Sequence, residues 1–278
     1  MYTQPSITSC YEDPPVLEGE GWRGWITRAA NFAIVLIEAE AGARLGGSCI
    51  EEHFAYSLPG GCRILAGCEQ ASLGAEDLAV LPPGDWEVSF DTAGLFVRVV
   101  TSAEEIAGQA SNAATYAQGD RRAVPVTPWP PAEGGFRLRT YSTLEGYARG
   151  GLVHAYRTSK LMIVPYPRFL EPRNETDLSP HAHEDFEQAS VALEGQWQHH
   201  LRVPWTKDRR EWQADRDITL GSPSVLVIPA GVIHTSLGTG GDGMRLIDVF
   251  SPPRRDFSER GLVNNAEDYP VPEGLATT

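Results

Sequence analysis

The chain has 278 residues, of which 41% are hydrophobic and 22% are charged, and its formal net charge is −14. That length suits two domains of about 100–150 residues each. The negative charge argues against nucleic acid or an anionic membrane as a partner. The longest apolar run, residues 32–37, is too short to span a bilayer. No basic segment followed by an apolar stretch opens the sequence, so we expect no signal peptide and a cytoplasmic protein.

The composition favours short strands joined by turns, because it includes 28 glycines and 21 prolines. All four cysteines lie in the first half and none of them forms a Cys-x-x-Cys pair, so neither a disulfide framework nor a zinc ribbon is expected. These are Cys10, Cys49, Cys62 and Cys68.

The first half divides into four segments. Residues 1–20 contain three prolines and are predicted to form an irregular arm. Residues 21–118 are the first predicted domain, with strand-like runs up to residue 101 and a helical composition over residues 102–118. Residues 119–135 are rich in proline and are predicted to be a linker. The strand-like runs of this half are residues 24–27, 33–39, 77–81 and 95–100.

The second predicted domain covers residues 136–255. Two consecutive prolines, Pro252 and Pro253, end its last strand because proline cannot donate to a strand ladder. Residues 256–278 form a tail that we expect to pack across a partner barrel. The strands predicted in this half are residues 160–164, 188–193, 196–203, 224–228 and 244–250.

Two separated sequence blocks supply a set of candidate metal ligands. In a strand, His181 and His183 point to the same side, and Glu187 keeps the same parity. His234 follows the tight turn of residues 229–231, and a second strand could bring it close. Three imidazoles and one carboxylate suit a divalent first-row metal with open coordination positions. The alternative is a His-x-His pair that arose by chance on a solvated strand.

These blocks resemble the two characteristic motifs of the cupin superfamily. The pattern comprises His-x-His-x-x-x-Glu over residues 181–187, then Gly195, Gly221 and Pro229-x-Gly231-x-x-His234. The resemblance implies a small antiparallel barrel of the double-stranded β-helix or jelly-roll type that holds one metal ion by His181, His183, Glu187 and His234. It says little about the substrate, because the superfamily includes dioxygenases, decarboxylases, isomerases, lyases and storage proteins.

An internal repeat indicates two such barrels. Residues 73–84 align without a gap on residues 220–231, and the same offset places Glu87 at the position of His234. Aligning Gly60 with Gly195 places Glu52, Ser48 and Gly46 at the positions of Glu187, His183 and His181. We therefore predict an all-β chain with two cupin-type barrels in tandem, joined by a short helical or irregular linker. The first barrel is degenerate, and the single metal site lies in the second.

The predicted strand at residues 196–203 is the best place to look for substrate contacts. One face carries Gln198 and His200, and the other carries Trp197 and His199. Alternation alone does not decide which face lines the barrel, although polar faces usually point outward. If the polar face points inward, His200 is a candidate acid/base and Gln198 a candidate substrate ligand. Arg168 is a further candidate for binding a substrate carboxylate.

A charged segment at residues 207–211, flanked by Trp205 and Trp212, interrupts the strands between the two motifs. It is either a solvated hairpin insertion or a lid over the barrel mouth.

Three functions stay open for this site. The first is Lewis-acid isomerase or lyase chemistry on a small polar oxygenated molecule, in which Glu187 and His200 take part. The second is a mononuclear iron dioxygenase, and the third is a non-catalytic binding or sensor protein. The expected cofactor is one divalent transition metal per chain, either iron, zinc, manganese or nickel. The expected partners are a small-molecule substrate and a second copy of the chain in a homodimer.

Overall fold

A computed structural model of the chain describes residues 2–58, 60–120 and 122–272. Regular structure in these residues is almost entirely β-strand, and all named strands pair antiparallel, which confirms the all-β prediction. The described α-helices are the short segments α1 (Thr143–Ala148) and α2 (Arg255–Glu259). None of the described helices is long and apolar enough to cross a membrane.

The N-terminal barrel consists of two facing antiparallel sheets. One sheet has the order β5-β10-β7-β8 and the other has the order β12-β9-β6-β11-β4-β3-β2. Its strands are β2 (Leu17–Gly19), β3 (Trp22–Arg28), β4 (Phe32–Ala39), β5 (Arg44–Cys49), β6 (His53–Leu58), β7 (Cys62–Ala66), β8 (Glu69–Leu73), β9 (Asp77–Leu81), β10 (Gly84–Phe90), β11 (Gly94–Thr101) and β12 (Arg139–Ser142).

The C-terminal barrel is built around two long strands that pair with each other, β15 (Gln188–Arg202) and β18 (Ile233–Phe250). The sheet order is β1-β17-β15-β18-β14-β13, with β16 also paired to β15. The remaining strands are β1 (Ser6–Ser9), β13 (Tyr156–Arg157), β14 (Met162–Pro165), β16 (Arg216–Leu220) and β17 (Ser224–Ile228).

The two barrels exchange edge strands. Strand β1 comes from the start of the chain and pairs with β17, whereas β12 follows the predicted linker and pairs with β9. The prediction of an irregular arm is therefore wrong for residues 6–9 and 17–19. Pairing covers sheet edges that would otherwise expose unsatisfied backbone groups, which explains why these segments are ordered as strands.

The barrels pack against each other through an apolar interface. Along β4, Phe32, Ile34 and Leu36 belong to the cluster shared by both barrels. The alternate residues Ala33 and Val35 face the interior of the N-terminal barrel. Both faces of β4 are thus buried, which accounts for the uninterrupted apolar run in its sequence.

The predicted helix at residues 102–118 is not present. The segment forms two 3₁₀ turns, Glu105–Gln109 and Ala113–Tyr116, because the backbone is extended at Ala110 between them. The tail packs on its own chain as far as Tyr269, whose hydroxyl donates to Glu52 at 2.8 Å. Residues 273–278 of the predicted tail lie outside the described residues.

Candidate metal centre

Three histidines converge at one end of the C-terminal barrel. The candidate ligand atoms of His181, His183 and His234 all lie within 4.8 Å of one another. His183 and His234 are buried, whereas His181 is exposed. The described part of the chain holds no second group of three such residues. The structure therefore contains a possible metal site of three imidazoles, in the half of the chain where it was predicted.

Backbone pairing brings the two sequence blocks together. The N–H of His181 donates to the carbonyl of His234 at 3.1 Å, and the reverse bond measures 2.8 Å. Gly231 donates to the carbonyl of His183 at 2.6 Å from a turn with a φ of 78°. Glycine adopts this left-handed conformation without strain, so the turn delivers His234 toward the other two rings.

The hydrogen bonds of two rings fix their protonation. The Nδ1 atom of His234 lies 2.9 Å from the carbonyl of Val232, and that of His181 lies 2.8 Å from the carbonyl of Ser179. A carbonyl oxygen only accepts, so each Nδ1 carries the proton. In a neutral ring, Nε2 then presents a lone pair, as a metal ligand requires.

The two buried rings are neutral at physiological pH. Burial, together with the neighbouring His234, Arg254 and His181, lowers the pKa of His183 to about 2. Burial also lowers the pKa of His234 to about 4. Both rings are therefore ready to bind a cation without first losing a proton.

Gln188 contributes a fourth group to this cluster. Its Oε1 atom lies 3.1 Å from Nε2 of His183 and 3.2 Å from Nε2 of His234. Two hydrogen-bond acceptors thus face each other in the protein interior, namely Oε1 of Gln188 and the unprotonated Nε2 of His234. A cation between them would satisfy both, so these residues fit a metal ion.

A hydrogen-bond chain holds the amide of Gln188 in this orientation. Its Nε2 atom donates to Ser190 Oγ at 3.0 Å, and Ser190 donates to Asp248 Oδ1 at 2.7 Å. Tyr166 donates to the other oxygen of Asp248 at 2.9 Å. Because the Ser190 proton points to Asp248, the hydroxyl oxygen can only accept from Gln188, and Oε1 is left facing the histidines.

Glu187 does not join the cluster, so its prediction as metal ligand and catalytic residue needs correction. Its carboxylate accepts from the backbone N–H of Ala30 at 2.5 Å and from the hydroxyl of Tyr116 at 3.1 Å. Both partners belong to the N-terminal half. The backbone explains the difference, because β15 begins only at Gln188 and residues 182–187 form no strand. Parity counted from His183 is therefore lost before residue 187.

The inward face of β15 changes along its length. Near its start Gln188 and Ser190 point to the site, whereas further on Trp197 and His199 are the buried residues. The switch occurs at register shifts between Ala192 and Trp197. Such bulges insert extra residues and reverse the alternation of the side chains.

The residues predicted to contact substrate lie outside the cavity. On the outer face of β15, His200 Nδ1 lies 2.6 Å from Asp217 of β16, and Gln198 does not line the cavity. Arg168 donates to Glu194 at 2.6 Å and to the carbonyl of Asp242 at 2.9 Å. The polar face of this strand therefore points outward, as polar faces usually do. His200, Gln198 and Arg168 are not placed to act on a ligand beside the histidines.

A cavity of about 700 Å³ opens beside the histidine cluster. Part of its wall is apolar, and the rest carries polar or charged side chains that no sequence motif indicated. The apolar wall includes Phe169, Trp197, Met244 and Leu246, and the polar groups include Tyr166, Glu171, Arg173, Asp248, Arg254 and Arg260. The segment at residues 207–211 does not line this cavity, and neither do the tryptophans that flank it. The rings of Trp205 and Trp212 stack on each other, with centroids 4.3 Å apart.

The equivalent region of the N-terminal barrel has a different character. The glycine alignment places His53 at the position of Gln188 and Ala55 at that of Ser190. Arg98 pairs with Ala55 as Asp248 pairs with Ser190. The buried Arg98 guanidinium lies 3.9 Å from the Trp86 ring centroid and donates to Cys49 Sγ at 3.0 Å. A fixed cation at this place opposes the binding of a metal ion.

No protein-family model and no curated protein matches this chain. Solved structures match most of it at low identity. Protein Ylba from E. coli aligns with a TM-score of 0.59 and 13% identity, covering 91% of this chain and 93% of that one. AerE from Microcystis aeruginosa gives 0.56 and 12%, covering 90% and 98%. A formate complex of oxalate decarboxylase from Lactobacillus farciminis gives 0.55 and 14%, covering 89% and 86%. These similarities show that the fold is the predicted cupin fold.

Proposed function

We propose that this cupin-fold chain binds one divalent transition metal and is an enzyme that acts on a small polar oxygenated organic molecule. The ligands are Nε2 of His181, His183 and His234 and Oε1 of Gln188. The observation that carries this proposal is the convergence of these acceptors beside a cavity large enough for a small molecule. Three imidazoles with one oxygen ligand suit zinc, manganese, iron or nickel and leave positions open for substrate.

Within this proposal we favour isomerase or lyase chemistry. A bound metal ion supplies a Lewis acid that polarises a carbonyl group. Such chemistry also needs a group that moves a proton, and Asp248 provides one in the cavity wall. Burial raises the pKa of Asp248, so its carboxyl group can exchange a proton closer to neutral pH than an exposed aspartate. Asp248 thereby takes the acid/base role that the sequence suggested for His200.

The side chains around the cavity also control access of water. Trp197 and Phe169 pack edge to face, with ring centroids 6.3 Å apart, and Met244 is buried beside them. An apolar wall next to a charged centre excludes bulk water and strengthens electrostatic interactions with the substrate.

Elemental analysis of the purified protein tests the proposal. We expect about one equivalent of a divalent metal in the wild type and in Glu187→Gln, and a large loss in the double variant His181→Ala/His183→Ala. The Glu187 variant is the matched control, since that carboxylate faces away from the histidines. Absence of metal from the wild type after reconstitution would overturn the proposed centre. Iron together with substrate-dependent oxygen uptake would overturn the Lewis-acid chemistry.

A further inference from the structure

The proposed ligand set carries no negative charge. Imidazole binds a metal ion as a neutral ligand, and Gln188 offers a carboxamide oxygen where a glutamate would add a full negative charge. A divalent ion held by three imidazoles and one amide therefore keeps both of its positive charges. In a partly buried site this excess charge attracts anions strongly, because a low effective dielectric constant increases Coulomb interactions.

The cavity adds positive charge of its own. Arg173, Arg254 and Arg260 line it, against the two carboxyl groups of Glu171 and Asp248. This local excess of arginine contrasts with the net charge of −14 for the whole chain.

The arginines retain donors for a ligand. Arg254 uses Nε and Nη2 for Asp256, at 3.0 and 2.7 Å, and its guanidinium stacks 3.7 Å from the Phe257 ring centroid. Its Nη1 atom has no hydrogen-bond partner among the described residues. Arg260 forms no ion pair with any of the residues that the structure describes. Arg173 donates only to neutral oxygens, including the carbonyl of Ser236 at 3.1 Å.

We propose that the substrate is a small organic carboxylate whose negative group binds between the metal position and Arg254, while its carbon body lies against Trp197 and Phe169. This inference rests on the proposed function and names the substrate class for the same site. A carboxylate neutralises the charge that the ligand set leaves uncompensated and matches the donor geometry of a guanidinium. The apolar wall formed by Trp197 and Phe169 contacts the carbon body of the substrate.

Binding of benzoate and of its neutral analogue benzamide to the Co²⁺-loaded protein tests this proposal. Coordination of an anion changes the visible spectrum of Co²⁺, and calorimetry gives both affinities. We expect benzoate to change the spectrum and to bind at least tenfold more tightly than benzamide. Equal affinities with Co²⁺ in place would overturn the carboxylate assignment. Failure to bind Co²⁺ at all would instead overturn the proposed metal centre.

Three variants test separately how the charge at the metal position and the arginines of the cavity contribute to carboxylate binding. Gln188→Glu should keep Co²⁺ and weaken benzoate binding about tenfold, because the new carboxylate neutralises part of the metal charge. Arg254→Gln and, at an exposed position that carries less risk to folding, Arg260→Gln should each weaken benzoate more than benzamide. Arg168→Gln is the matched control, since Arg168 pairs with Glu194 outside the cavity. Unchanged benzoate affinity in all three test variants would contradict the proposal.

Discussion

Gln188 and Glu187 are adjacent in sequence but have opposite surroundings. The amide oxygen of Gln188 faces His183 and His234, whereas the carboxylate of Glu187 faces Ala30 and Tyr116 across the barrel interface. One residue is suited to hold a cation and the other to join the two halves of the chain. The difference follows from where β15 begins: Gln188 is its first residue and faces the histidines, whereas Glu187 precedes the strand in irregular backbone that turns toward the N-terminal half.

Ser190→Ala should weaken metal binding without removing a ligand. The hydroxyl of Ser190 is what forces the amide of Gln188 to present its oxygen to the histidines. Loss of such a supporting hydrogen bond typically reduces metal affinity about 10–100-fold. Competition with a chromophoric chelator measures the affinity. Ser72→Ala, at an exposed position on β8, is the control and should bind metal as the wild type does.

Glu187→Gln should remove part of the pH dependence of stability. Burial raises the pKa of Glu187 to about 8, reinforced by Asp120 and opposed by the donors Ala30 and Tyr116. Because the folded-state pKa lies above the unfolded value, the contribution of this group to stability is fully present below about pH 4 and is lost as pH rises through 8. Across the whole range the loss is about 5 kcal/mol by linkage.

Denaturant unfolding of both proteins at pH 5 and pH 8 measures this effect. A glutamine side chain at this position cannot ionise, so the free energy of unfolding of the variant should fall less between the two pH values. An identical fall in both proteins would show that Glu187 does not titrate with a raised pKa.

The three histidines of the site could be predicted from sequence, because a His-x-His pair and a histidine after a Pro/Gly turn are recognisable patterns. Gln188 could not be found in the same way. Glutamate is the commoner ligand, and Glu187 has the right parity if residues 181–187 are assumed to be one strand. The signal that was available is that Gln188 opens the apolar run of β15 and shares parity with Ser190.

At the scale of elements, β15 determines which side chains reach the site. The sequence predicts two strands over residues 188–193 and 196–203, and the structure joins them into one strand with register shifts between. Residues that favour β-strands explain why both segments could be predicted as strands. The bulge depends on a contact between strands, which local sequence does not encode. For that reason, alternation could not assign the inward face of the second segment.

Gly195 is the residue that permits this bulge. Its φ is 80°, and a Cβ atom there would lie 2.6 Å from Met244 Cγ and 2.7 Å from the carbonyl oxygen of Gly243. We expect Gly195→Ala to destabilise the protein by roughly 2 kcal/mol or more. Chemical denaturation measures the change. Gly108→Ala is the control, because a Cβ atom added there would meet no atom within 4 Å and its φ is not positive. Similar stability losses in both variants would contradict the role of Gly195.

In the whole molecule, each barrel depends on strands and contacts from the other half of the chain. Strand β1 closes the edge of the C-terminal barrel at β17, β12 pairs with β9, and the buried Arg245 forms an ion pair with Glu76 at 2.6 Å. The apolar interface includes residues from both halves. The domain boundaries predicted from sequence, with a linker at 119–135, and the predicted homodimer stay predictions. The tandem repeat was recognisable because both copies keep the same turn residues, whereas exchanged strands leave no local signal.

The C-terminal half, residues 136–278, should not fold to its native state alone. It would lack β1 and the donors to Glu187, and it would expose its side of the apolar interface. Co-expression with residues 1–135 should restore a folded complex that binds metal. Circular dichroism and gel filtration of the fragment and of the complex measure this. A cooperatively unfolding, monomeric fragment would contradict the mutual dependence of the barrels.

The central claim is that three histidines and Gln188 hold one metal ion, and anomalous diffraction from crystals of the metal-loaded protein tests it most directly. We expect a single anomalous peak about 2.0–2.3 Å from Nε2 of His181, His183 and His234 and from Oε1 of Gln188. A peak ligated by Glu187, a peak in the N-terminal barrel, or no peak after metal loading would contradict it.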